Sequence, residues 1–158
     1  MTLEGKTILI TGAAGELGSR LADAMQMAGA KAVVGLDVNA KKLDAMANAR
    51  FSGFACDLTD YTKVHSCLEA VYAKHPDIDV LINNAGILHS APLVNIPEKD
   101  DNVLHKNAED WLRCLNTNLS SAFYVSQFVA RRMVKARTQG VIINISSVSA
   151  KGNAGQSA

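Results

Sequence analysis

No apolar run in this chain approaches the ~20 residues that a bilayer-spanning helix needs. The opening Met1-Thr-Leu-Glu-Gly-Lys6 leads into a strand pattern rather than through a signal peptide. A soluble, cytoplasmic protein is the expectation. Dense Lys/Arg tracts are absent too: sixteen basic residues stand against fifteen acidic ones for a net charge of +1, so neither nucleic acid nor an anionic membrane face is an expected partner. Cysteine is scarce, and its count is odd. Cys56, Cys67 and Cys114 are widely spaced within apolar patterns, which favours ordinary buried or half-buried thiols over a disulfide or metal set. His65, His75, His89 and His105 lack metal-ligand spacing and read as solvated loop and helix positions. No metal site is expected. Repeats, low-complexity tracts and linkers are also missing, so residues 1–158 read as a single domain. At 48% hydrophobic and 20% charged, a chain of this size buries roughly 70% of its unfolded surface.

What is present is an alternation of strand and helix patterns. Thr7–Ile10 is a short apolar run ending at Thr11-Gly12. Leu17 through Ala28 then repeats with helical period, with Leu17, Leu21, Ala24, Met25 and Ala28 on one face. Gly29-Ala30 ends that helix, and Ala32–Leu36 reads as a second strand closing on Asp37. A polar helix over Ala40–Ala49, a strand over Phe51–Cys56, a helix over Asp60–Lys74 with Asp60 as N-cap, and a strand over Ile78–Ile82 follow. After Asn83-Asn-Ala-Gly86 comes an irregular stretch, Ile87–Lys106, longer than usual for such connections. It is either a lid over one side of a pocket or a plain surface connection. A long helix is predicted from an N-cap at Asn107 to Arg137, its last turns gathering cations where the helix dipole favours them. Gly140 punctuates, and Val141–Ile145 is a fifth strand delivering Ser146 and Ser147 to its C-terminal end. The pattern predicts an α/β fold with a parallel sheet covered by helices on both faces.

The sharpest local signal is the first turn. Thr11-Gly-Ala-Ala-Gly-Glu-Leu-Gly18 places Gly12, Gly15 and Gly18 between a strand and a helix. There the backbone can turn sharply and bring a helix N-terminus up to a pyrophosphate. The alternative is a purely structural glycine turn. Asp37 lies 19 residues beyond Gly18 at the end of the next strand, where an acid accepts hydrogen bonds from ribose hydroxyls. A carboxylate at that position repels a ribose 2′-phosphate, so NAD is expected rather than NADP. Lys41 and Lys42, which begin the next helix, either temper that preference or form a solvated face.

Together the glycine loop, Cys56-Asp57-Leu58, Asn83-Asn84-Ala85-Gly86, Asn118 and Ile145-Ser146-Ser147 resemble, in order and at suitable spacing, the short-chain dehydrogenase/reductase family. The resemblance covers the whole chain and implies a Rossmann-type doubly wound sheet with nicotinamide-dependent interconversion of alcohols and ketones or aldehydes. It assigns the cofactor to Gly12, Gly15, Glu16, Leu17, Gly18 and Asp37, with Asp57 and Leu58 near the adenine and Asn84, Ala85 and Gly86 along the adenosine ribose. Read without the family, a helix-side cap stays open for Asp57, and for Asn83-Asn84 a turn whose amides satisfy neighbouring strands. The loop departs from the family's commoner Thr-Gly-x-x-x-Gly-x-Gly form, with Glu16 where a glycine usually stands. Its side chain must therefore point away from the phosphates. Homodimers or homotetramers acting on a small alcohol or carbonyl substrate are implied as well.

The family's chemistry implies Ser147 hydrogen-bonding the substrate oxygen and Asn118 holding a water through a local distortion of the long helix. It also needs a Tyr-x-x-x-Lys pair a dozen or so residues after Ser147. Tyr61, Tyr72 and Tyr124 are followed four places on by His65, Pro76 and Phe128. None supplies the pair, and Gly155-Gln-Ser-Ala158 reads as the approach to it. The sheet is therefore expected to break off after its fifth strand. Beside an oxidoreductase, an NAD-binding module without turnover and a truncated fragment remain open.

Overall fold

The computed structural model describes residues 2–89 and 108–151. Five strands, β1 (Thr7–Thr11), β2 (Ala32–Asp37), β3 (Phe51–Ala55), β4 (Val80–Asn83) and β5 (Val141–Asn144), form one sheet in the order β3-β2-β1-β4-β5. Every neighbouring pair is parallel. Two-residue alternation splits the strand side chains into two cores. On one face Ile8, Ile10, Val33, Val80 and Ile82 pack with Ala22 of α1 (Glu16–Met27) and Leu43 of α2 (Ala40–Met46). On the other, Leu9, Val34, Leu36 and Leu81 meet α3 (Tyr61–Lys74) through Val64, Leu68 and Val71. Val125, Val129 and Met133 of α5 (Ser121–Ala136) complete that second core. The arrangement is the predicted doubly wound Rossmann-type fold. Strand order reverses between β1 and β4, and in open α/β sheets ligands bind outside the strand C-termini at that reversal.

The long helix arrives in parts. α4 (Ala108–Leu115) passes through a π-helical turn, Asn116–Ser120, into α5. Its expected cap at Asn107 lies outside the described residues, as does most of the irregular stretch that precedes it. The helix stops at Arg137, whose left-handed backbone (φ 54°) ends it before Gly140. Gly140 lies in the break between this helix and β5, as expected, against the tip of Met133. Other boundaries shift for local reasons. α2 ends at Met46 because the Asn48 side chain accepts the Arg50 and Phe51 N–H groups, which makes a turn of the predicted last helical residues. β4 begins at Val80: the Asp79 N–H still donates to Thr7 O, but the Thr7 N–H is taken by the Asp79 carboxylate, which also accepts from Lys6 Nζ, both at 2.9 Å.

α1 shows the main correction. Its buried residues are Gly18 and Ala22, with Leu21 and Met25 half-buried, whereas Leu17, Ala24 and Ala28 face solvent. The helix lies so close to the preceding turn that a Cβ on Gly18 would sit 2.0 Å from the Gly12 carbonyl oxygen. Contact is made where side chains are smallest, and the hydrophobic stripe rotates to suit. At the far end Gly29 (φ 88°) donates to Gln26 O and Ala30 to Met25 O, the two bonds of a Schellman cap. Gly18→Ala must push helix and turn apart. It is expected to lower stability by about 3 kcal/mol in urea unfolding.

Candidate dinucleotide and substrate site

Thr11 ends β1 beside the end of β4 and ties the two together. Its hydroxyl oxygen accepts from the Asn84 and Ala85 N–H groups, each at 3.0 Å. In return Asn84 Nδ2 donates to the Thr11 and Gly12 carbonyls at 3.0 and 3.2 Å. Gly12 (φ 65°) is the position that permits this approach, for a Cβ there would lie 2.8 Å from Ala85 Cα. Asn84 is thus first a brace of the glycine loop. Past the turn, Gly15 is the N-cap of α1 without any side-chain cap. The first-turn N–H groups of α1 therefore face outward with the positive end of the helix dipole. Glu16 turns away from them, pairing with Arg20 at 3.2 Å along the helix surface. Asp37 is held from both sides: Oδ2 accepts from the Ala14 N–H at 3.0 Å and Oδ1 from the Asn39 N–H at 2.9 Å. Each oxygen keeps a further lone pair for a ligand hydroxyl.

Two cavities open from this point. One of about 320 Å³ is lined by Gly12, Asp37, Asp57, Leu58, Ala85 and Gly86, among others. Leu58 is 7% exposed and belongs to the core, so it gives the cavity a floor. Asp57 makes a local turn ahead of α3 rather than its cap, which is Asp60. Asp57 Oδ1 accepts from the Thr59 hydroxyl at 2.7 Å and from the Thr59 N–H at 3.1 Å, and Lys63 lies 3.5 Å from Oδ2. Those Thr59 bonds, with help from Lys63, hold its carboxyl below the usual range. The second cavity, of about 580 Å³, shares Ala85, Gly86 and Ile87 with the first and continues past Asn118 to Ser147. Asn118 sits on the π turn, the distortion expected of the helix there. Its Oδ1 accepts from the Ile87 N–H at 2.8 Å and its Nδ2 donates to Ile87 O at 2.9 Å, so both ends of the amide clasp the loop after β4. Ser147 Oγ accepts from the Ser149 N–H at 3.1 Å, which leaves its own proton free to donate.

None of the three tyrosines lines this cavity. Tyr61 and Tyr124 border a separate one of about 300 Å³ between α3 and α5, and Tyr72 is in the core, where burial pushes its phenol up to about 12. Thr11 and His89 carry roles that the sequence reading did not give them, whereas the Asn83 amide satisfies a neighbouring strand, as the turn reading of Asn83-Asn84 has it. Thr11 was legible only as a strand end, although a hydroxyl beside Gly12 is a detectable signal. Asn83 is buried against β5 and α5, giving Nδ2 to Ser126 Oγ and Asn144 Oδ1 at 2.8 Å each. His89, read as a solvated loop residue, lines the larger cavity with Nε2 3.4 Å from Asp110. Among the described residues no three His, Cys, Asp or Glu side chains gather as a metal site, and no helix is long and apolar enough to cross a membrane.

A bare helix N-terminus reached through a glycine turn, an acid anchored beside it, and paired cavities at a parallel-sheet switch point define a Rossmann-type unit, with donors and acid at the end where such sheets bind ligands. Comparison narrows the class: the family model for short chain dehydrogenases matches residues 6–158, and the chain belongs to that family. It is 36% identical over 163 residues to the 3-oxoacyl-(acyl-carrier-protein) reductase FabG of Thermotoga maritima, covering 99% of this chain and 61% of that protein. It is 34% identical over 154 residues to the D-threitol dehydrogenase of Mycolicibacterium smegmatis, covering 94% and 55%. The crystal structure of gox2181 superposes with a TM-score of 0.83 at 25% identity, over 98% of this chain and 59% of that one. The chain thus spans about three fifths of the length of these proteins.

Thr11→Val keeps the shape of the side chain but removes the acceptor of two N–H groups. It is expected to cost about 2 kcal/mol in urea unfolding, with dinucleotide affinity falling in titration calorimetry as the loop loosens.

Proposed function

We propose that this chain is the NAD-binding part of an oxidoreductase that interconverts an alcohol and a ketone or aldehyde. The observation that carries the reading is continuity: the cavity under Asp37 and Asp57 runs through Ala85, Gly86 and Ile87 into the one that Asn118 and Ser147 line. A ligand with a nucleotide at one end and a reactive ring at the other fits that path. When bound, NAD supplies two-electron exchange with the substrate carbon. The N–H groups at the start of α1 hold the phosphates beside Gly15, Glu16 and Leu17, and Gly18 keeps the helix close enough for them to reach. Asp37 accepts from the ribose hydroxyls and disfavours a 2′-phosphate. Lys41 and Lys42 are exposed and are not among the residues bordering the adenosine cavity, which supports NAD over NADP.

At the other end, the Ser147 hydroxyl donates to the substrate oxygen, stabilising charge that develops there. Asn118 fixes the loop at Ile87 and so the wall against which the substrate rests. The proton path in this family runs on to a Tyr-x-x-x-Lys pair, which is not among these 158 residues. The relatives' names, a 3-oxoacyl reductase and a threitol dehydrogenase, support a ketone–alcohol pair as the reacting group. Exposed Leu112, Leu119 and Phe123 on α4, the π turn and α5 support assembly as a homodimer or homotetramer.

Two substitutions test the reading. Asp37→Ala is expected to weaken NAD binding about ten- to a hundredfold and to narrow the preference over NADP, measured by calorimetry with both nucleotides; an unaltered ratio would remove the ribose contact. In a polypeptide extended through a Tyr-x-x-x-Lys segment, Ser147→Ala should cut turnover roughly a hundred- to ten-thousand-fold while NAD affinity holds. Unchanged turnover would take Ser147 out of the reaction.

A further inference from the structure

Cys56 and Cys67 are eleven positions apart in sequence, and the fold makes them neighbours. Cys56 follows β3 immediately and Cys67 lies on α3, which packs over that strand end. Both thiols border one open surface groove of about 410 Å³, together with Lys63 and Ser66. Both are free and near enough for each to shift the other's titration, and the Cys56 thiol donates to the Lys63 carbonyl oxygen at 3.8 Å. We propose that Cys56 and Cys67 form an oxidative modification site, a dithiol that a small hydroperoxide reaching the groove converts into a disulfide.

The environment assigns the two sulfurs different roles. The neighbouring Cys56 thiol lowers the Cys67 thiol against its partial burial, which makes Cys67 the better thiolate. Cys56 is pushed up by the adjacent Cys67, by burial, and by the charges of Asp57 and Asp60. Burial supports the same division, because Cys56 is 6% exposed whereas Cys67 is only partly buried. In the first step the Cys67 thiolate attacks a peroxide oxygen. The O–O bond breaks, and Cys67 becomes a sulfenic acid as hydroxide leaves. In the second step the Cys56 sulfur attacks the Cys67 sulfur. The S–O bond breaks, and the departing hydroxyl takes the Cys56 proton as water. Both sulfurs together lose two electrons, and the hydrogen peroxide is reduced to two waters. Cys56 also borders the 320 Å³ cavity that Asp37, Asp57 and Leu58 line. Closing the bond therefore tugs on a wall shared by groove and cavity.

Cys114 provides an internal control. It is 5% exposed, borders the 580 Å³ cavity, and has neither of the other thiols beside it there. The test is peptide mapping by mass spectrometry of the unmodified protein after exposure to hydrogen peroxide, with and without later dithiothreitol. The expected result is a cross-linked peptide joining Cys56 to Cys67, lighter by two hydrogens and reversed by dithiothreitol. Cys67 should be consumed at least about tenfold faster than Cys114. Cys56→Ser should leave Cys67 trapped as a sulfenic acid that a dimedone probe captures. Cys67→Ser should leave Cys56 no more reactive than Cys114. Absence of the cross-link in the unmodified protein, or oxidation of Cys67 at the rate of Cys114, would overturn the proposal without recourse to either variant.

Discussion

A helix seated on a turn with no side chain between them is the constraint from which the rest of this structure follows. The approach of Gly18 to the Gly12 carbonyl, and of Gly12 to Ala85, brings three backbones nearer than any Cβ allows. Because they are that close, the Thr11 hydroxyl reaches two N–H groups of the next strand's exit and Asn84 reaches back to two carbonyls. The mouth of the site is therefore framed by short, satisfied polar contacts among buried or half-buried groups. Such contacts resist distortion, since breaking one leaves its partner without water to replace it.

A second layer of ties adds to the first. Asn83 links β4 to β5 and α5, Asn118 links the π turn to the loop after β4, and Asp37 links the glycine loop to the start of α2. All three act at the C-terminal ends of the strands. At the opposite end the Asp79 carboxylate joins β1 to the approach of β4 through Lys6 and Thr7. The molecule has a pole at which its cavities open and a pole given over to holding the sheet together.

The fold class was legible because strand and helix periods alternate cleanly, and the five strands fall within a few residues of their expected places. Boundaries moved where a side chain captured backbone groups, as Asn48 did at the end of α2 and Asp79 before β4. No propensity scale sees such bonds in advance. The α1 stripe was misread because periodicity rewards large apolar residues, whereas contact at a glycine rewards small ones. The candidate site was legible as residue types, less so as roles. Asn84 and Asp57 engage their neighbours before any ligand, and Glu16 leans towards Arg20. Thr11 and His89 act through partners tens of residues away, so the sequence shows their residue types but not their partners.

The π turn inserts one extra residue into what would be a single continuous helix. Each helical residue advances the side-chain direction by about 100°, so the insertion works as a phase shifter. α5 can keep Val125, Val129 and Met133 aligned on the sheet while Cys114 and Asp110, upstream, are aimed at the large cavity and its His89. An unbroken helix would have to choose between those headings. One length of chain thus faces two ways, and Asn118, at the point where the phase slips, is the residue that reaches across to the loop.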